Sequence, residues 1–190
     1  MTADALAKEL LADRDFYGAE GGVTFSGGEC LLQADFLTEV MCILAREGVS
    51  SVIDTAGHVP WESIEKTLPL CDHYLYDNKC PDSALHRQYT GQSNDRILAN
   101  LARLAAVGKR LWIRVPVIPG VNDHAEEMRA IAALAARAKP EQVTLMPYHT
   151  LGKSKYKTLF LSPGYEAPYM ITPAALEDMK RIFREHGLPI

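Results

Sequence analysis

The stretch GGVTFSGGECLLQADF, residues 21–36, decides the fold. Residues 21–26, GGVTFS, form a short β-branched and aromatic run that reads as a strand, and Gly27-Gly28 breaks it. From Leu31 the apolar residues recur at helical spacing to about residue 47. A strand, a glycine turn and a helix in immediate succession make the first half of a parallel crossover unit.

Outward from this segment the same alternation repeats. SSVIDT at 50–55 leads into a short helix near 60–68, HYLYDN at 73–78 precedes a helix near 93–107, and RLWIRVPVI at 110–118 precedes one near 124–137. QVTLMPY at 142–148 is followed by a loop and a last helix near 173–186. Gly48, Gly108 and Gly187 fall where helices should end, and Thr172-Pro173 opens the last helix as N-cap and first-turn proline. The N-terminal MTADALAKELLADRD has a charged amphipathic helix pattern without the apolar core of a signal peptide or anchor. The expected class is therefore α/β, about five βα units around a parallel sheet, in one domain spanning residues 1–190 without linker or repeat.

With 190 residues, 47% hydrophobic and 23% charged, the chain can bury roughly 70% of its unfolded surface in one core without disulfide or structural metal. Its net charge of -4 and the lack of any long Lys/Arg run argue against nucleic acid as a partner. No apolar stretch suggests a membrane partner, and the expected compartment is the cytoplasm. The cysteines, Cys30, Cys42, Cys71 and Cys80, lie no closer than nine positions apart. Metal and cluster sites draw several thiolates from one short loop, so these four read as free thiols.

The polar residues concentrate where strands end: Ser26-Gly27-Gly28-Glu29, Asp54-Thr55, Asp77-Asn78-Lys79, Arg114 and His149. In parallel sheets and barrels ligands bind at those C-terminal ends, because loops and helix N-termini converge there. Gly27-Gly28 lets a ligand approach the backbone, or serves the turn alone. Asp54 and Asp77 end apolar strands and need a cation, a metal or several donors. Lys79, on the same strand face as Asp77, can pair with it or with a ligand, and Asp54 with Thr55 offers oxygen ligands to a hard cation; helix capping or surface ion pairing are the plainer readings. Arg114, inside LWIRVPV, must face a polar interior or a partner acid. His149 is either a ligand contact or a satisfied loop histidine.

Taken together, GGVTFSGGECLLQADF, VIDTAGHVPWE, LYDNK, WIRVPVIPGVND and LMPYHTLGKSKY resemble, in order, the motif blocks of the radical S-adenosylmethionine (radical SAM) activating enzymes of glycyl radical enzymes, the pyruvate formate-lyase activase family. The resemblance covers about residues 15–160. It implies a partial (β/α) barrel with SAM across the strand ends, its amino group near Ser26, Gly27, Gly28 and Glu29. Asp77 and Lys79 fall at ribose and carboxylate positions, Arg114 and His149 line the pocket, and Asp54, Thr55 and Asp77 match a monovalent-cation site.

In that family a 4Fe-4S cluster reduces SAM, and the resulting 5′-deoxyadenosyl radical takes hydrogen from a backbone glycine of the partner. Pyruvate formate-lyase or a relative is thus the implied partner, with flavodoxin or ferredoxin as electron donor. The CxxxCxxC loop that holds the cluster does not occur in this sequence; by the resemblance it and the first barrel strand would precede Met1. No catalysis is expected from this polypeptide alone. Two further readings stand beside the activase: a silent SAM-binding or partner-binding module, and an unrelated barrel lyase or isomerase using Lys79 as base or Schiff-base amine. The strand at 21–26 is also expected to be an open edge that invites homodimer pairing or cover by the N-terminal helix.

Overall fold

In the computed structural model, which describes residues 1–19, 21–150 and 165–190, five parallel strands lie side by side in chain order. They are β1 (Gly22–Phe25), β2 (Ser50–Thr55), β3 (His73–Asp77), β4 (Arg110–Val117) and β5 (Gln142–Pro147). Ile53 pairs with Tyr74, Tyr76 with Ile113, and Val115 with Leu145, so the largest apolar side chains sit level across the sheet. Parallel neighbours in sequence order need a crossover after every strand, and helices supply it.

Those helices are α1 (Ala3–Ala12), α2 (Arg14–Tyr17), α3 (Ala34–Arg46), α4 (Trp61–Thr67), α5 (Ser83–Thr90), α6 (Asp95–Ala106), α7 (Ala125–Ala138) and α8 (Pro173–Glu185). Side chains alternate between faces along each strand. One set, with Ile53, Tyr74, Tyr76, Ile113 and Val115, is fully buried against Leu37, Met41, Ile64, Leu104, Met128 and Phe183 of the helices. The other set, with Thr24, Val52, Asp54, Leu75, Asp77, Trp112, Arg114 and Thr144, is half-buried or exposed; Trp112 remains 38% exposed. Parallel sheets are normally covered on both faces. Among the described residues one face is open here, and the charged strand-end residues stand on it.

Two details depart from the sequence reading. The helix expected from residue 31 begins as a 3-10 turn, Cys30–Gln33, before α3. Helix α5 was not anticipated; Asp82 caps it by accepting from the Leu85 N–H at 2.6 Å, and Gly91, at φ 79°, ends it. The last helix follows expectation, with Thr172 accepting from the Ala175 N–H and Pro173 in its first turn. α1 packs on α3 through a small cluster that includes Ala7, Val40 and Leu44. Among the described residues β1 has no strand on its outer side, whereas β5 is partly covered there: the Val143 N–H donates to the Pro189 carbonyl at 2.7 Å.

Candidate functional site

The C-terminal ends of β1 to β4 carry one continuous row of polar side chains. The Ser26 hydroxyl donates to Asp54 at 3.1 Å, and the Arg114 guanidinium bridges Asp54 and Asp77, reaching Asp77 Oδ1 at 2.8 and 3.1 Å. The row ends where Lys79 Nζ meets Asp77 Oδ2 at 3.3 Å. Strand register places Asp77 directly beside Arg114, and the two-residue side-chain period puts Asp54 on the same open face. The Asp54 and Asp77 side chains are each 18% exposed and Arg114 24%, so the row is half withdrawn from water. Burial alone lowers the Arg114 pKa; the charges and hydrogen bonds of Asp77, then Asp54, more than reverse this and raise it.

Thr55 points the other way. Its hydroxyl is buried, donates to Glu29 at 2.9 Å and accepts from the Gly57 N–H at 2.8 Å. The structure therefore does not gather the side chains of Asp54, Thr55 and Asp77 around one point. The cation between the two carboxylates is the Arg114 guanidinium. Three or more His, Cys, Asp or Glu side chains grouped as metal ligands do not occur among the described residues. His149 follows β5 at the same end of the sheet and is exposed, without a hydrogen-bond partner among the described residues.

At the Ser26–Glu29 turn, Gly27 adopts φ 130°, and a Cβ on either Gly27 or Gly28 would meet nothing within 4 Å. Gly27 thus answers a conformational need, while the space beside both glycines stays open to a ligand. The Asn78 Nδ2 nitrogen, beside Asp77 and Lys79, is buried and has no hydrogen-bond partner among the described residues. A row with both charge signs, backbone groups freed by glycine and an open face above suits a zwitterionic nucleoside carrying an amino-acid tail. The residues present therefore fit SAM.

They do not fit an iron-sulfur cluster. All four cysteines are free thiols on separate elements; Cys71 and Cys80 are buried. Burial, followed by the Glu29 charge, pushes the Cys30 thiol up to about 11, and burial pushes Cys71 up to about 12. Cluster ligation requires thiolates, which such environments oppose.

Two buried asparagines, unremarked in the sequence reading, hold this end of the sheet. Asn122 Nδ2 donates to the Lys79 and Pro116 carbonyls at 2.8 Å each, tying the loop after β3 to β4. Asn100 Nδ2 donates to the Gly57 and Val59 carbonyls at 2.9 Å each. The available signal was an amide on the apolar face of α6, where a polar side chain must find partners.

Comparison with known proteins extends the geometry. Residues 1–134 match the profile described as the Radical SAM superfamily. The chain is 38% identical over 184 residues to the trans-4-hydroxy-L-proline dehydratase activating enzyme of Clostridioides difficile, across 94% of this chain and 60% of that protein. It is 34% identical over 191 residues to the indoleacetate decarboxylase activating enzyme of Tractidigestivibacter scatoligenes, across 99% of this chain and 60% of that one. The chain thus spans about 60% of the length of these curated relatives. Among solved structures, a domain of pyruvate-formate lyase-activating enzyme from Bacteroides vulgatus ATCC 8482 matches with TM-score 0.74 and 28% identity, covering 89% of this chain and 96% of that one.

Proposed function

This chain belongs to the radical SAM superfamily, and from that premise we propose that it forms the SAM site of an activating enzyme for a glycyl radical enzyme. The observation that carries the reading is the polar row from Ser26 through Asp54, Arg114 and Asp77 to Lys79, set at the strand C-termini beside Gly27 and Gly28. The activating-enzyme relatives support the reaction class.

In this reading the Ser26–Gly28 turn receives the amino-acid end of SAM, with Asp77 and Lys79 at its ribose and carboxylate. Arg114 keeps the two carboxylates in place, and His149 completes the lining. SAM, when bound, supplies the adenosyl group from which hydrogen abstraction in this superfamily begins. The partner is a glycyl radical enzyme, pyruvate formate-lyase or a relative, with a flavodoxin or ferredoxin as reductant, in the cytoplasm. A monovalent cation at Asp54 and Asp77 requires Arg114 to withdraw. No cluster is assigned to the four cysteines.

A second reading is a module that binds SAM or the partner without radical chemistry. Calorimetric titration of the chain with SAM tests what the two share. Saturable binding is expected, weakened about tenfold (~1.4 kcal/mol) or more in Asp77→Ala. A folded chain that takes up no SAM at millimolar concentration sinks the site assignment. Two further measurements separate them: a stoichiometric cluster on this chain after anaerobic reconstitution rules out the silent module, and affinity for a glycyl radical enzyme without reconstitution favours it.

A further inference from the structure

Glu29 sits at the end of the glycine turn, where a carboxylate facing a ligand's ammonium would be the simple reading. Its hydrogen bonds go elsewhere. Both carboxylate oxygens lie 2.9 Å from the Thr55 hydroxyl; Oε2 also accepts from the Ala56 N–H at 3.2 Å and Oε1 from the Leu31 N–H at 3.3 Å. The Thr55 hydroxyl has no freedom to turn away, because its oxygen accepts from the Gly57 N–H and its proton must then point at Glu29. An ammonium could claim Glu29 only by displacing these donors.

The far end of this chain of contacts is anchored in the core. Gly57 has φ 72°, and a Cβ there would collide with the Tyr76 hydroxyl. That hydroxyl donates to the Ile97 carbonyl at 2.7 Å, so it cannot retreat without breaking a buried bond. Asn100, 3% exposed on the same helix α6, spends both amide protons on the Gly57 and Val59 carbonyls. Helix α6 therefore grips the loop after β2, that loop grips Glu29, and Glu29 fixes the exit of the Gly27-Gly28 turn. On the side where a Cβ would stand, neither glycine meets another group within 4 Å among the described residues.

Building on the SAM site proposed above, we infer that Glu29 and Asn100 are positioning residues: a clamp that sets the glycine turn for the amino-acid end of the ligand, with Glu29 turned away from it. The ammonium is then met by the backbone of the turn, and the adenosine end is indifferent to the clamp.

Amide hydrogen exchange on the unliganded chain tests the coupling. In Asn100→Ala, exchange is expected to rise on the order of tenfold at residues 55–59 and also at 28–31, while β3 and β4 keep their protection. Coupling is reciprocal, so Glu29→Ala, a change outside the core, should loosen 55–59 from the other end. This second variant decides the matter if Asn100→Ala fails to fold. Loosening confined to each mutation's own loop overturns the clamp.

Titration with SAM and with 5′-methylthioadenosine, which lacks the amino-acid portion, tests the consequence. Either variant should raise the Kd for SAM about tenfold and leave that for methylthioadenosine unchanged. Equal shifts for both ligands, or none, overturn the positioning role. If the unmutated chain binds neither nucleoside, the site assignment fails, while the exchange data still decide the clamp.

Discussion

Arg114 holds together two carboxylates that would otherwise repel each other on one half-buried face. Replacing it with methionine keeps the volume and removes the charge, leaving Asp54 and Asp77 to repel. Loss of a fully buried partner costs about 3–5 kcal/mol; with these side chains partly in water, about 2–4 kcal/mol is expected for Arg114→Met. Adding Asp77→Asn should recover part of that loss, since it removes one of the two charges. Urea denaturation reads both effects, and a cost below about 0.5 kcal/mol for the single change would reduce Arg114 to an ordinary surface pair. Arg114, Asp54 and Asp77 were legible in the sequence as charges in need of partners, because a charge inside an apolar strand must find one. That they would find one another depends on register across strands, which the sequence did not supply. The direction of Glu29 was equally hidden, being decided by a loop from another βα unit and by an asparagine 71 positions along the chain.

At the scale of elements, the strands and the larger helices were readable because apolar periodicity and glycine punctuation agree. Helix α5 was not: only His86 of its eight residues is buried, so it lacks the apolar stripe by which a helix declares itself. Its signals were local, Asp82 before it and Gly91 after it. Asp82→Ala removes the acceptor for the Leu85 N–H and should lower stability by about 1 kcal/mol, and Gly91→Ala, forced to φ 79°, by a similar amount. Both changes shift the denaturation midpoint without altering its slope if the helix stays part of one cooperative unit. A slope that falls in either variant would mean that α5 unfolds separately from the sheet. Which sheet face stays open was also beyond the sequence. Val52, Leu75 and Trp112 alternate with buried residues as they would in a sheet covered on both sides.

On the scale of the whole molecule, that open face and the free edge of β1 leave the described fold with surface that parallel sheets ordinarily cover. A cavity of about 1000 Å³ lies at the N-terminal half of the open face, away from the charged row, with Tyr17, Thr24, Val52, Leu75 and Trp112 among its lining. α1 lies against α3 and does not extend the sheet, so the backbone groups on the outer side of β1 have no strand to pair with among the described residues. Two copies meeting edge to edge would satisfy them. β1 is only four residues long, which makes such pairing weak and dependent on concentration. Sedimentation over roughly a hundredfold range of concentration should show the mass climbing toward twice that of the chain. Thr24→Lys should hold it at the monomer, because a lysine on an edge strand obstructs strand addition. A monomer at every concentration, with the amides of residues 22–25 slow to exchange, would mean that the edge is already closed within one copy and that the dimer does not form. Association that survives Thr24→Lys would instead move the contact off β1 and onto the open face, where Trp112→Ala becomes the variant that must weaken it.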